Sequence, residues 1–198
     1  MVHASDASAK TMLRLQMRSV RREAARGTPD AAHQLLAHLP PALLALLASA
    51  KVVAGYRAQA AEIDPWPLMQ VFVKAGARIA LPAAVSLDAP LVFRAYLDGD
   101  TLEPDAAGVP SPTEDAAALV PDLIITPLLA FDRLGARMGQ GGGHYDRTLA
   151  ALRARGPVFV LGLAYAAQQV GRIPVEPHDQ PLDAILTEKG YIEVAKDL

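Results

Sequence analysis

A short apolar run, a loop with four glycines and a helical pattern follow one another over residues 121–147, and this segment constrains the fold most. Residues 123–125 are Leu-Ile-Ile and predict a core strand, which we expect Thr126-Pro127 to end because proline cannot donate to a ladder. Residues 145–155 have the apolar spacing of a helix, and Gly156-Pro157 is a common helix stop. The segment therefore predicts a buried strand that a loop connects to the N-terminus of a helix.

The glycines of this loop are suited to holding an anion. Gly139, Gly141, Gly142 and Gly143 allow positive φ and a close approach of the backbone to a ligand. A helix N-terminus adds unpaired N–H groups and the positive end of a dipole, which together bind phosphate. The run is not a dinucleotide fingerprint, because His144 replaces the third glycine, nor is it a P-loop, because no Gly-Lys-Ser/Thr follows. Generic motifs alone leave two interpretations, a phosphate site and a flexible turn.

Composition and charge exclude several classes of function. The 198 residues are 52% hydrophobic, which suffices for one sizeable core, and we predict a single domain over residues 1–198. A net charge of −2 gives no global attraction to nucleic acid or to an anionic membrane. The lack of cysteine excludes disulfides and thiolate metal sites and is compatible with a reducing cytoplasm. The longest apolar stretch, residues 41–50, is far short of the ~20 residues that span a bilayer. We expect a soluble, cytoplasmic monomer or weak dimer.

Short apolar runs alternate with helical patterns along the rest of the chain, and this alternation predicts an α/β fold. We expect a mainly parallel sheet sandwiched by helices, with loops for ligands at the carboxyl ends of the strands. Residues 104–115 are predicted to form a long loop, which is either a lid over a ligand or a connection without a function of its own. Predicted strands cover residues 51–56, 78–81, 91–97 and 158–164 and a hairpin over 184–194, and predicted helices cover residues 9–25, 67–74 and parts of 29–50.

A longer string around the glycines resembles the signature of a known family. Phe131-Asp132, Gly135, the run 137–143 and Tyr145-Asp146-Arg147 closely resemble 5-formyltetrahydrofolate cyclo-ligase, also called 5,10-methenyltetrahydrofolate synthetase, and the resemblance extends from Lys10 to about residue 192. It implies the conversion of 5-formyltetrahydrofolate to 5,10-methenyltetrahydrofolate, with ATP as co-substrate, Mg²⁺ as cofactor, and release of ADP and phosphate. It also implies a fold similar to the ribose-5-phosphate isomerase and CoA-transferase group.

The resemblance assigns ATP to the first helix and to the glycine loop. Lys10, Arg14, Arg18 and Arg21 form one basic stripe, which by itself is typical of a solvated helix face. The family binds ATP phosphates at the positions of Lys10 and Arg14, whereas we expect Arg18 and Arg21 to lie on the surface. Lys10 and Arg137 are the implied catalytic cations. The other implied ATP-binding residues are Gly139, Gln140, Gly141, Gly142, Gly143, His144 and Tyr145.

The folate is expected at the end of the strand predicted for residues 51–56. The resemblance implies that Glu62 accepts hydrogen bonds from the pterin ring and that Tyr56 lines its pocket. Many family members carry Phe or Trp in the loop 104–115, where it can cover the folate, whereas this chain has Ala107. The other implied substrate-binding residues are Gly142, Gly143 and Tyr145.

Two aspartates are the candidates for the metal. Asp146 stands in the first turn of the helix after the glycine loop, where an aspartate also favours the helix dipole. Asp179 follows the strand predicted for residues 158–164 and matches the family's second magnesium aspartate. Magnesium prefers oxygen ligands and takes one or two carboxylates plus substrate phosphates. We therefore expect Asp146 and Asp179 to share one Mg²⁺.

Two other classes of protein fit parts of the pattern. A sugar-phosphate isomerase-like enzyme would use the glycines to hold a substrate phosphate and would need no ATP. A non-catalytic folate- or nucleotide-binding module would bind the phosphate without transferring it. The joint presence of Lys10, Arg14, Glu62, Arg137 and the two aspartates disfavours both.

Overall fold

The computed structural model describes residues 3–194 and contains a seven-stranded sheet. The strand order is β11-β10-β9-β6-β1-β2-β3, in which the five inner strands run parallel and both edge strands are antiparallel to their neighbours. The strands are β1 (Val52–Ala54), β2 (Arg78–Ala83), β3 (Val92–Ala95), β4 (Leu102–Pro104), β5 (Pro110–Pro112), β6 (Leu123–Pro127), β7 (Ala130–Phe131), β8 (Arg137–Met138), β9 (Phe159–Leu163), β10 (Ala184–Thr187) and β11 (Gly190–Glu193).

Helices cover both faces of this sheet. Strand residues alternate between the faces, so Leu123 and Ile125 pack in one hydrophobic cluster and Ile124 in the other. Leu149, in the helix after the glycine loop, belongs to the second cluster, Leu43 and Phe72 from earlier helices belong to the first, and Met17 of the first helix belongs to a third. The helices are α1 (His3–Gly27), α2 (Ala31–Gln34), α3 (Pro41–Ser49), α4 (Trp66–Lys74) and α5 (His144–Arg153), with 3-10 turns at Leu35–His38 and Ala166–Gln168. The predicted α/β sandwich with a mainly parallel sheet is confirmed.

Three local predictions need correction. Strand β6 does end at Pro127, but it is longer than residues 123–125, because Thr126 and Pro127 still pair in parallel register with Gly162 and Leu163, and the missing N–H of Pro127 is tolerated at the strand end. Strand β1 stops at Ala54, so Tyr56 is already in the following loop. The segment 104–115 is not structureless, because β5 pairs antiparallel with β4. The intervening turn is fixed by Asp105, whose carboxylate accepts hydrogen bonds from the N–H groups of Ala84, Ala107 and Val109.

The fold gathers loops at the carboxyl ends of β1 and β6. A buried Gln168 supports the loop after β6, because its side-chain amide donates to the carbonyls of Leu128 (2.8 Å) and Leu129 (3.0 Å). Helix α1 packs against the Ala166–Gln168 turn and so lies across the same edge of the sheet. Among residues 3–194 no helix combines the length and the apolar character needed to cross a bilayer.

Candidate functional site

A cavity of about 560 Å³ opens at this edge of the sheet. Its walls come from α1, the loops after β1 and β6, the β4–β5 turn, the glycine loop with the start of α5, and the segment near residue 179. Every residue that the sequence nominated lines it, namely Lys10, Arg14, Tyr56, Glu62, Arg137, Gly139, Gln140, Gly141, Gly142, Gly143, His144, Tyr145, Asp146 and Asp179. The structure thus brings together residues that lie up to 169 positions apart in the chain.

The two cations of α1 enter the cavity differently. Lys10 is only 7% exposed, and its Nζ lies 2.9 Å from Asp179 Oδ2 and 3.3 Å from Glu176 Oε1. Arg14 is half-buried, and its Nε donates to the carbonyl of Gly139 (3.3 Å). One cation is therefore held by carboxylates, whereas the other is held by the glycine loop itself.

The glycine loop depends on two residues with positive φ. Gly141 has φ 108°, and Gly143, the N-cap of α5, has φ 66°, so both adopt conformations that side chains with a Cβ rarely take. Arg147 Nη2 donates to the carbonyls of Gly142 and Leu87, both at 2.9 Å, which fixes the loop against the segment before β3. The Gln140 side chain accepts two hydrogen bonds from Arg18. The N-terminus of α5 is thereby presented to the cavity.

Arg137 and Asp146 form an ion pair beside this loop. Arg137 Nη2 lies 2.7 Å from Asp146 Oδ1, and its Nη1 donates to the carbonyl of Gln180. The Gln180 N–H also donates to Asp146 Oδ1 (3.0 Å). Burial lowers the pKa of Arg137, although the charge of Asp146 opposes this shift. Asp146 is therefore oriented by its partners rather than acting as a simple helix cap.

The carboxylates of the site fit the ligand preference of magnesium. The hydrogen bonds from Arg137 and Gln180 to Asp146 are both accepted by Oδ1, so Oδ2 is the oxygen that can bind an ion. Burial alone would raise the pKa of Asp179, but the N–H of Glu176 and the ammonium of Lys10 lower it below its ordinary value. Possible ligand atoms of Glu176, His178 and Asp179 lie within 4.8 Å of one another. This cluster contains Asp179 but not Asp146.

The opposite end of the cavity is aromatic and more deeply buried. Tyr56 donates its hydroxyl to the carbonyl of Ile63 (2.6 Å), so it offers its ring to the cavity and at the same time anchors the loop after β1. Burial, followed by the charge of Glu62, raises the pKa of Tyr56 well above its ordinary value. The same two causes raise the pKa of Tyr145, whose hydroxyl is hydrogen-bonded to Thr126. Both phenols therefore stay neutral and close to one carboxylate.

Both oxygens of that carboxylate have partners in the protein. Glu62 Oε1 lies 3.1 Å from Arg21 Nη1, and Oε2 accepts a hydrogen bond from the N–H of Gln59 (3.0 Å). The side chain of Glu62 is only 10% exposed. An ionised carboxylate has about four lone-pair sites, so capacity remains for a ligand.

Arg21 also lines the cavity, although the sequence did not indicate it as a site residue. The prediction that it lies on the surface is wrong, because Arg21 is 7% exposed and lines the cavity beside Glu62, whereas Arg18 is exposed. The available signal was its spacing, since Arg21 follows the buried Met17 by four positions and therefore shares its helix face. Thr11, Arg57, Gln59, Asp105, Ala107 and Val109 also line the cavity without having been nominated as ligand-binding residues.

Comparisons with known proteins agree with the resemblance. The sequence profile of the 5-formyltetrahydrofolate cyclo-ligase family matches residues 6–188. A 5-formyltetrahydrofolate cyclo-ligase from Escherichia coli K12 is 35% identical over 153 residues, covering 75% of this chain and 81% of that protein. Another from Mycolicibacterium smegmatis is 31% identical over 186 residues, covering 88% and 93%. The solution structure of 5,10-methenyltetrahydrofolate synthetase from Aquifex aeolicus superposes with a TM-score of 0.76 at 25% identity, covering 96% and 94%.

Proposed function

Because the chain belongs to the 5-formyltetrahydrofolate cyclo-ligase family of ligases, we propose that it converts 5-formyltetrahydrofolate to 5,10-methenyltetrahydrofolate and ATP to ADP and phosphate. One observation carries the proposal: a single cavity has two chemically different ends. The phosphate end consists of Lys10, Arg14, Arg137, Asp146, Asp179 and the glycine loop 139–143. The folate end consists of Arg21, Tyr56, Glu62 and Tyr145.

The phosphate end has the residue types that a triphosphate requires. Arg14 borders the glycine loop and is free to turn toward an anion, since its bond to Gly139 is long and exposed. Charged hydrogen bonds from Lys and Arg to phosphate are about twice as strong as neutral ones. The N–H groups at the start of α5 add the positive end of a helix dipole. The γ-phosphoryl group would therefore lie between α1 and the glycine loop.

Asp146 and Asp179 are the residues that would hold magnesium. Bound there, the ion would neutralise charge on the phosphates of ATP. Lys10 and Arg137 are paired with these carboxylates in the protein alone, and both cations would turn to the phosphates when the carboxylates engage the ion.

The folate end matches the donor edge of a pterin. The ring presents N–H groups that need an acceptor, and Glu62 is an acceptor-only group whose oxygens are already oriented. The rings of Tyr56 and Tyr145 supply apolar walls. Ala107 reaches the cavity from the β4–β5 turn without an aromatic ring, so this chain covers the folate with less bulk than many relatives.

The reaction then needs positioning and charge neutralisation. The formyl oxygen attacks the γ-phosphorus and ADP leaves, which converts that oxygen into a phosphate ester. N10 attacks the activated formyl carbon and loses its proton, and the C–O bond breaks to release phosphate and leave the methenyl bridge. Lys10 and Arg137 would hold the charge that develops on the transferred group. No covalent bond to the protein forms in either step.

Turnover tests the proposal directly. The protein is incubated with 5-formyltetrahydrofolate, ATP and magnesium while the absorbance of the methenyl product and the formation of ADP are followed. We expect one ADP for each methenyl product and no product without ATP. Folate binding by calorimetry without any ATP-dependent product would contradict the proposal and favour a non-catalytic binding module.

A further inference from the structure

Arg21 occupies a position that its own hydrogen bonding does not explain. Its Nη1 contacts Glu62 Oε1 at 3.1 Å and the carbonyl of Leu128 at 3.5 Å, the latter long for a hydrogen bond. Its Nε is buried and has no hydrogen-bond partner within residues 3–194. A buried N–H without a partner destabilises a fold. The contact with Glu62 is thus the main favourable polar interaction that offsets the cost of burying the Arg21 guanidinium.

Glu62, in turn, depends on Arg21 for its orientation. Glu62 lies in the loop after β1, and its carboxylate has two described hydrogen-bond partners, Arg21 Nη1 on one oxygen and the Gln59 N–H on the other. The Gln59 bond is local, because it joins residues three apart within the loop. The Arg21 bond is the one that ties the carboxylate to a different element, helix α1.

We propose that Arg21 is a positioning residue for the folate, which holds the Glu62 carboxylate toward the pterin edge without contacting ATP. The inference rests on the proposed function, since it specifies how the folate end of that site is built. The burial of both partners supports it, because an ion pair with side chains 9% and 10% exposed is little screened by solvent. Arg14, seven residues earlier on α1, contacts the glycine loop instead, so the two arginines serve different ends of the cavity.

The test is a double-mutant cycle measured in turnover. Arg21→Met removes the charge but keeps a side chain of similar length, and Arg22→Met is the matched control because Arg22 is exposed on the same helix. We expect Arg21→Met to raise KM for 5-formyltetrahydrofolate at least tenfold and to change KM for ATP by less than twofold. In a Glu62→Gln background the same change should alter the folate KM by less than twofold, because its partner is already lost.

Several results would overturn the inference. Equal rises in folate KM in the wild-type and Glu62→Gln backgrounds would show that Arg21 acts independently of Glu62. A rise in KM for ATP as large as that for folate would make Arg21 part of the phosphate end. If Arg21→Met does not fold, Arg21→Gln, which also removes the charge, enters the same cycle with the same expected and contradicting results. If the wild-type protein forms no product, both the proposed function and the inference are wrong. If the wild-type protein is active and Arg21→Met has the same folate KM, only the inference is wrong.

Discussion

The two ends of the cavity place their charges in different ways. At the phosphate end two of the three cations are paired with the carboxylates proposed to hold magnesium: Lys10 with Asp179 and Arg137 with Asp146. At the folate end Arg21 is paired with Glu62, which we propose to bind the substrate while it remains paired. We therefore propose that the first set of ion pairs is exchanged when ATP binds, whereas the second persists.

Solvent exposure fits this difference. The carboxylates of the phosphate end are 22% and 24% exposed, so water can replace a partner while the ion pairs rearrange. Glu62 is 10% exposed, and breaking a more deeply buried pair by removing one partner leaves an uncompensated charge. We therefore propose that one cavity combines a site for a charged co-substrate, whose ion pairs rearrange, with a preformed site for a ring.

The largest expected effects come from the metal candidates. Asp146→Asn should lower the free energy of unfolding by about 2 to 3 kcal/mol, below the ~3–5 kcal/mol of a fully buried pair, because Arg137 loses its counter-charge while Asp146 is partly exposed. Asp146→Asn and Asp179→Asn should each raise the magnesium concentration needed for turnover. Urea denaturation measures the first effect, and a magnesium titration measures the second.

The double variant shows whether the two aspartates share one ion. If they do, the combined effect on the magnesium requirement is clearly non-additive. Additive losses of turnover that extra magnesium does not relieve would contradict a shared ion. Asp146 would then act only as the partner of Arg137, and Asp179 only as a loop residue.

Arg14 tests the phosphate end without disturbing a buried pair. Arg14→Ala should weaken ATP binding by about 1.5 to 3 kcal/mol, the range for a charged hydrogen bond, and leave folate binding nearly unchanged. Arg22→Ala is the matched control, because Arg22 is exposed on the same helix and does not line the cavity. Calorimetry with ATP would show the difference, and equal affinity in the wild type and in Arg14→Ala would exclude Arg14 from the ATP site.

The glycine loop offers a smaller and more local test. Gly141 has φ 108°, so Gly141→Ala should strain the loop by about 1 to 2 kcal/mol and weaken ATP binding by roughly 5- to 30-fold. Gly156 lies outside the cavity and has no positive φ, and a Cβ there would contact no atom within 4 Å, so Gly156→Ala is the matched control. Similar ATP affinities for the two variants would indicate that the conformation of Gly141 does not matter for the phosphate.

His144 should give the smallest effect. Its Nδ1 is buried and has no hydrogen-bond partner among the described residues, so His144→Phe removes a polar group that the fold does not satisfy. We expect turnover within about twofold of wild type and a melting temperature that is unchanged or slightly higher, since this penalty is removed. Loss of most turnover in a folded His144→Phe protein would assign His144 a role in catalysis.

Much of the fold could be predicted because its signals are local. Apolar runs such as residues 123–125 and 158–164 predict strands by their composition, and glycines and prolines mark the ends of elements. The predicted helix after the glycine loop was observed at His144–Arg153. Residues 110–112 were harder, because a short strand with two prolines has no strand-like composition and forms through its pairing with β4.

The sequence could predict which residues line the candidate cavity but not the contacts between them. The resemblance nominated residues that all line one cavity, yet no local pattern indicates that Lys10 pairs with Asp179, 169 positions away. The prediction for Arg21 was wrong because a basic stripe has the same sequence pattern whether it faces water or the edge of a sheet. Only the packing of α1 decides which of its arginines is buried.

Transfer of the γ-phosphoryl group to the formyl oxygen is the central claim, since it explains why one cavity joins the two ends. The most direct measurement uses 5-formyltetrahydrofolate labelled with ¹⁸O in the formyl group and determines the mass of the phosphate released during turnover with ATP and magnesium. We predict that the label leaves in the phosphate, with one ¹⁸O per methenyl product. Unlabelled phosphate, with the ¹⁸O recovered in water, would contradict it.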